Sequence, residues 1–382
     1  MTSERGNQTP HMDAEKAQVL FEHGAMFLLL NFPEGSEFGI DNYSWTVGPN
    51  FRGIKMIPPG IHFIFYSSVN SDHQAGPRSG FFYNFASKEI VVKKWSVQME
   101  EIQMDEVSEA EMEKFHDNKQ EMDKYLGPYP YERYKQWVSL SNHITDTTLR
   151  VLQPDCGFIY SVAQFESEGS TSQSRQASAV EKSKEASTES SSSSPQKPEL
   201  PHLKQVIGTN IKYSVVPKQR YPPGSSPSEI TKYSMDSSYV LSLLLTERYN
   251  KDIDSILGEV QFAFLCFLLG QNYESFEQWK KLVHLLCTSE EAIMKNPKVY
   301  QDFISLLHFQ VREIPSDFFV DIVTSNNFLT VTLHELFQNL EGDGVDSKLQ
   351  KKGHSFRKHL TEKFNWDFTS EPDDFAPVVV DT

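Results

Sequence analysis

The stretch SVAQFESEGSTSQSRQASAVEKSKEASTESSSSSPQK (161–197) constrains this chain more than any other. It holds thirteen serines and almost no apolar residues. Such a segment buries too little surface to offset the entropy of ordering it, so no core runs through it. The expected layout is a disordered N-terminus (1–17), a β-rich domain (18–160), a disordered serine-rich linker (161–204), an all-helical domain (205–370) and a β-type tail (371–382). A chain of 382 residues is long enough for two domains with cores of their own. The 27 Phe and 15 Tyr supply the apolar volume those cores need.

The first half has the period of strands from about 19 to 98. AMFLLLNFP is a continuous apolar run between Gly24 and Pro33, which suits a strand buried on both faces. GIHFIFYSS (60–68) puts Ile61, Phe63 and Phe65 on one face and His62, Ile64 and Tyr66 on the other. GFFYNF and EIVVKKWSV are two more such runs, and turn formers separate them. Short strands at this spacing predict a sandwich or partly closed barrel. A helix is expected over DEVSEAEMEKFHDNKQEMDKYL, with Met112, Phe115, Met122 and Leu126 along one stripe. YERYKQWVSLSNHI and TDTTLRVLQP complete this half.

The second half has the period of helices. Ser226, Pro227 and Glu229 form a capping box that opens a helix expected to reach Tyr249. DSILGEVQFAFLCFLLG is apolar all round, hence central. NYESFEQWKKLVHLLC places Phe276, Trp279, Leu282 or Val283, and Leu286 on one face. NPKVYQDFISLLHFQV begins with an Asn cap and a proline at the first helical position. PSDFFVDIVT, NFLTVTLHELFQNL and DSKLQKKGHSFRKHLTEKF bring the count to about seven helices with short connections, a bundle or stack. The fold class is therefore α+β multidomain: a β-sandwich-like domain with a few helices, then an all-α bundle or stack.

Charge narrows the partners. The net charge is −16, and the basic pieces are short, KLQKKGHSFRKH among them. Such a field repels a nucleic-acid backbone, so protein partners are expected and direct nucleic-acid binding is not. Three cysteines, Cys156, Cys266 and Cys287, without a C-x-x-C, point to a reducing compartment rather than a disulfide framework. The N-terminus shows no apolar h-region. The most apolar run, 260–270, is about half the ~20 residues a membrane span needs. Neither a signal peptide nor a membrane partner is expected.

Catalytic patterns are missing: no phosphate-binding glycine loop, no H-E-x-x-H, no G-x-S-x-G. His284 and Cys287 share a helix face but leave a zinc site two ligands short. His354 and His359, five apart, diverge on a helix. The sharpest enzyme candidate is IPPGIHFIFY, which resembles the first metal motif of a cupin barrel. Its second histidine is replaced by Ile64, and Asp72 lies past the strand, so His62 is read as a structural or surface residue. The acidic pairs are read as solvated faces. LGPYPYERYKQW reads either as a corner packed on the sheet or as an exposed aromatic patch for a partner, carried by Tyr129, Tyr131 and Arg133.

Several long strings together resemble one family: FPEGSEFGIDNYSWTVGPNFRGIKMIPPGIHF, LGPYPYERYKQWVSL, EITKYSMDSSYVL, GEVQFAFLCFLLGQNYESFEQWKKL, EIPSDFFVDIV and WDFTSEPDDFAPVVVD. They are similar to the AAR-two splicing factor family over about 18–160 and 205–381. The resemblance implies a non-enzymatic, cofactor-free assembly chaperone of the U5 small nuclear ribonucleoprotein, a monomer when free. It implies binding to the large central splicing protein of the U5 precursor through that protein's RNase H-like and MPN-like domains. It also implies exclusion of the remodelling helicase, release by phosphorylation, and residence in cytoplasm and nucleus. The runner-up is a cupin-like small-molecule binder or metalloenzyme built on the first half.

Two further expectations concern the polar segments. Ser187, Ser190, Ser191, Ser192, Ser193 and Ser194 lie beside Glu185 and Glu189, the setting acidophilic kinases prefer, and each phosphate adds about −1.5 to −2 charges. In the tail, Phe375, Val378, Val379 and Val380 suit a short strand that starts at Pro377. Ordering it costs roughly 6–12 kcal/mol, while burial returns about 5–9 and three or four hydrogen bonds ~1 each. The tail is therefore expected to be mobile alone and to add a strand to a partner's sheet once tethered there; pairing with its own sheet is the alternative.

Overall fold

The computed structural model describes residues 14–69, 74–104, 108–167, 203–314 and 328–368. Helix α1 (Ala14–His23) comes first, where only a disordered end and then strand were expected. The strands that follow are β1 (Ala25–Leu30), β2 (Glu37–Ile40), β3 (Tyr43–Thr46), β4 (Gly53–Ile57), β5 (Gly60–Ser67), β6 (Ser79–Phe85), β7 (Ile90–Ser96) and β8 (Glu101–Gln103). Next come α2 (Glu109–Asp117), α3 (Lys119–Met122), β9 (Leu126–Pro128), α4 (Tyr134–Ser141), α5 (Asp146–Leu152) and β10 (Ile159–Tyr160).

These strands make two five-stranded sheets, ordered β8-β7-β1-β4-β9 and β10-β6-β5-β2-β3. Phe27 and Leu29 of β1 meet Phe38, Ile64, Phe81 and Phe85 between the sheets. Met26 and Leu28 of the same strand turn outward and are covered with Ile90, Val92 and Leu126 by Met112, Phe115 and Met122. That two-sided burial is what an unbroken apolar strand requires. The stripe read into residues 105–126 thus packs together, but not as one helix. The chain breaks at Asn118, and Leu126 pairs with Gly53 as a strand.

In the second half the helices are α6 (Pro227–Met235), α7 (Ser238–Arg248), α8 (Asp254–Leu268), α9 (Tyr273–Cys287), α10 (Glu290–Lys295), α11 (Pro297–Glu313), α12 (Phe328–Glu341) and α13 (Ser347–Phe364). That makes eight among the described residues; PSDFFVDIVT lies outside them. The capping box at Ser226 is present as expected. The helix it opens stops at Met235, where the extended Asp236 turns the chain and its carboxylate accepts from the backbone N–H and the hydroxyl of Ser238, the first residue of the next helix. Asn272 caps α9 by accepting from Ser275. Asn296 does not cap α11, because its side chain donates backward to the Ala292 carbonyl.

The helical core does not stop at the linker. Phe63, Phe65 and Phe82 from the sheet join Trp137 and Leu140 of α4 and Leu149 of α5 in one cluster with the interior of α8. Strand β5 divides its residues as the alternation demands: Ile64 and Tyr66 face the sandwich, Phe63 and Phe65 the helices. Helix α8 comes close because Gly258 has no Cβ; one placed there would lie 2.7 Å from the His143 carbonyl oxygen. Gln261 then accepts from His143 N–H at 2.7 Å and donates to Asn142 at 2.8 Å. Both ends of the serine-rich segment are also tied down. Strands β11 (Phe165–Ser167) and β12 (Leu203–Gln205) pair antiparallel inside what composition alone assigned to linker.

Candidate protein-interaction site

Strands β2 and β3 form a hairpin with Ile40 opposite Tyr43, which leaves Asp41 and Asn42 as a two-residue loop. Asp41 sits at φ +53, a left-handed conformation that Asp tolerates and this kind of turn demands. The turn buries the Asp41 carboxylate, which then collects three donors. Phe63 N–H donates to Oδ1 at 3.0 Å, and the Tyr129 hydroxyl donates to Oδ2 at 2.6 Å. His62 Nδ1 lies 2.6 Å from Oδ2 as well.

The other ring nitrogen of His62, Nε2, lies 2.8 Å from the Pro58 carbonyl. A carbonyl only accepts, so Nε2 carries a proton, and a second proton lies between Nδ1 and the carboxylate. His62 is 1% exposed and has no lone pair left for a metal. Trp137 stacks on the ring at 6.1 Å and donates Nε1–H to the Ile61 carbonyl at 2.9 Å. The histidine reads as structural, and no group of three or more His, Cys, Asp or Glu side chains among the described residues could hold a metal. His284 is exposed while Cys287 is buried. His359 meets His308 at 4.6 Å, whereas His354 faces the groove between α12 and α13, so the pair diverges.

This buried centre fixes the aromatic corner at 129–137, and the structure corrects one member of the expected patch. Tyr129 is 2% exposed and held inside by Asp41, so it presents nothing to a partner. Its phenol is pushed far above the usual range, first by burial and then by the Asp41 charge. Tyr131 is half-buried and stacks on Tyr134 at 5.4 Å, while Arg133 is exposed. Burial, then the neighbouring Tyr131 and Asp41, raises the Tyr134 phenol.

The Arg133 guanidinium stands 5.2 Å from the ring centroid of Tyr43 and donates to the Asn42 carbonyl at 3.1 Å. Tyr43 in turn lies 4.8 Å from Trp45. The result is a surface array of Trp45, Tyr43, Arg133 and Tyr131, the residue types that dominate binding hot spots. Tyr43 and Trp45 belong to β3, the outermost strand of its sheet. In the hairpin alternation their backbone groups face β2, so those of Ser44 and Thr46 face away from it. An outer strand with outward-facing N–H and C=O groups is what an added strand pairs with. The sequence reading missed Tyr43, Trp45 and Asp41. The signal was present in the Asp-Asn pair between two four-residue β runs. Phe375, Val378, Val379, Val380 and the serines at 187 and 190–194 lie outside the described residues.

Fold and site together define an α+β protein in which a sandwich-like domain and a helical domain share one core. A model described as the AAR2 N-terminal domain matches residues 23–154, and one described as the AAR2 C-terminal repeat region matches 213–369. The chain belongs to the AAR2 family. It is 46% identical over 380 residues to the human Protein AAR2 homolog, covering 97% of each chain. The Caenorhabditis elegans Protein AAR2 homolog is 36% identical over 367 residues, 94% of this chain and 98% of that one. A Saccharomyces cerevisiae protein named A1 cistron-splicing factor AAR2 is 25% identical over 325 residues, 82% of this chain and 84% of that one.

Proposed function

We propose that this protein acts in pre-mRNA splicing as a non-enzymatic assembly chaperone of the U5 small nuclear ribonucleoprotein. In this reading it binds the particle's large central protein through the RNase H-like and MPN-like domains and keeps the remodelling helicase away until phosphorylation releases it. The observation that carries the reading is the family match over both domains, together with the yeast relative whose name is that of a splicing factor. The edge-strand array of Tyr43, Trp45, Tyr131 and Arg133 supports it as a ready docking face. The other contacts proposed are Phe375 and Val378 to Val380, added as a strand to the partner's sheet. The release sites proposed are Ser187 and Ser190 to Ser194 in the serine-rich segment. The setting proposed is cytoplasmic assembly followed by nuclear maturation.

The test is affinity purification of the tagged full chain from cell extract, with its co-purifying proteins identified. Enrichment of the large U5 protein with the helicase depleted is the expected result. A purification in which no U5 protein exceeds the tag-only control overturns the reading. The cupin-like alternative draws no support from the geometry, since both His62 nitrogens are already engaged.

A further inference from the structure

The aromatic array does not end at Tyr131. Tyr131 stacks on Tyr134, and Tyr134 lines a cleft of about 370 Å³ between helix α4 and the start of strand β5. Tyr134, Val138 and Ser141 follow one another along α4 at helical spacing and line one side. Gly60 and Ile61 of β5 line the other. From Tyr134 to Ser141 the helix rises about 10 Å at 1.5 Å per residue, so the cleft is a trough. It stays open because β5 begins on glycine. Gly60 has φ +129, a conformation that other residues rarely adopt, and a Cβ there would meet no atom within 4 Å.

The floor of the trough is apolar and its far end is polar. Ile61 and Tyr134 are half-buried and Val138 is 40% exposed, above the buried Trp137 and Ile144. At the far end stands Asn84, which faces Ile61 across the β5–β6 pair. Its Nδ2 donates to Asp146 Oδ1 at 2.8 Å and ties the end of the sheet to the start of α5. No described donor reaches Asp146 Oδ2. Among the described residues that line the trough there is one carboxylate, Asp146, and no lysine or arginine. His62, at the floor, is matched by Asp41. Exposed carboxylates are common in a chain of net charge −16. What sets Asp146 apart is its place: it closes an apolar trough that opens beside the array of Trp45, Tyr43, Arg133 and Tyr131.

We propose that this trough is the anchor pocket of the docking face and takes one arginine side chain of a protein partner. The methylene stem lies along Ile61, Val138 and Tyr134, as long cationic side chains cover apolar surface while their heads stay in water. The guanidinium then reaches Asp146 Oδ2, which Asn84 holds in place. Arginine suits the trough better than lysine, because its planar fork carries several donors in a fixed geometry and is more weakly hydrated than an ammonium. Arginine is also among the residues that dominate binding hot spots, which sit in well-packed pockets. The proposal rests on the reading of the aromatic array as a docking face and names the side chain that this face selects.

The test titrates the full chain with N-acetyl-arginine methylamide and follows the five tryptophan indole N–H signals by nuclear magnetic resonance. Trp137 is the reporter, because its Nε1–H donates to the carbonyl of Ile61 in the trough wall; the spectrum of Trp137→Phe assigns it. A saturable shift of the Trp137 signal in the millimolar range is expected, with the other four left in place. The citrulline analogue, of the same shape but uncharged, and the norleucine analogue, a bare stem, should each bind at least about tenfold more weakly. Asp146→Asn keeps the acceptor for Asn84, removes the charge and should cost a similar factor while leaving the spectrum of the free protein otherwise unchanged. No saturable shift at Trp137, a shift at Trp45 alone, equal binding of the citrulline or norleucine analogue, or indifference to Asp146→Asn overturns the proposal. No splicing protein is present, so failure here removes the anchor and leaves the docking face standing. Failure of the docking reading leaves the affinity of the trough for arginine intact.

Discussion

The ring of Phe82 on β6 stacks on the ring of Phe262 on α8, with centroids 4.9 Å apart. One belongs to the sheet half, the other to the helical half, and both are buried. Bodies that share such a contact should unfold together. Phe262→Ala removes the ring from a sealed site and should cost about 3–5 kcal/mol. Far-ultraviolet dichroism, which follows the helices, and near-ultraviolet dichroism, which follows the packed aromatics, should melt in one coincident step in parent and variant. Two separated transitions would show that the halves are independent.

Asp41 gathers His62, Tyr129 and the Phe63 amide. Asp41→Ala leaves the buried histidine without its partner and should cost about 3–5 kcal/mol in urea melts. Tyr129→Phe removes one hydroxyl donor and should cost only about 1–2 kcal/mol. If the tyrosine change proves the larger, Asp41 does not organise the corner.

Buried Glu259 accepts from the Ser214 amide and hydroxyl and from Gln278, and pairs with the Tyr249 hydroxyl. Burial raises its carboxyl above the ordinary value despite these donors. A raised folded-state value means that its stabilising contribution is present below the unfolded value and is lost as pH rises through the folded one. Glu259→Gln, which resembles the protonated form, should match the parent near pH 4 and gain on it steadily towards pH 7.5. Melting temperatures across that range decide, and a gap that shrinks with rising pH would contradict the sign.

Cys266 and Cys287 are fully buried, and burial pushes both thiols far up. Cys156 is partly exposed, its thiol raised by burial to a lesser depth. A thiol reagent should therefore modify one cysteine slowly in the native protein and all three in denaturant. Rapid native reaction at two or three sites would mean that the helical core opens.

Much of the fold was legible because periodicity reports burial directly. The two-faced burial of β1, the division of β5 and the central place of α8 follow from residues 25–30, 60–67 and 254–268 alone. Breaks inside helices were not legible. The extended Asp236 interrupts the run from Pro227 at a turn that no apolar pattern records. The shared core was hidden as well, because a serine-rich segment reads as a boundary even where strands at both its ends pair across it. At the site, Tyr131 and Arg133 could be suspected from composition. Tyr129 was misjudged because burial depends on Asp41, eighty-eight positions earlier. Tyr43 and Trp45 escaped because only sheet order reveals which strand is outermost.

The central claim is that the outer strand of the sandwich, with Arg133 beside it, docks a protein of the splicing machinery. The direct measurement is calorimetric titration of the full chain with the RNase H-like and MPN-like domains of the large U5 protein. The comparison is the same titration with Y43A/R133E, whose melting temperature should stay within ~1 kcal/mol of the parent in equivalent stability. The account predicts a complex with the parent and at least about tenfold weaker binding by the variant, as expected for loss of two hot-spot residues. No complex with the parent, or equal affinity for parent and variant, would contradict it.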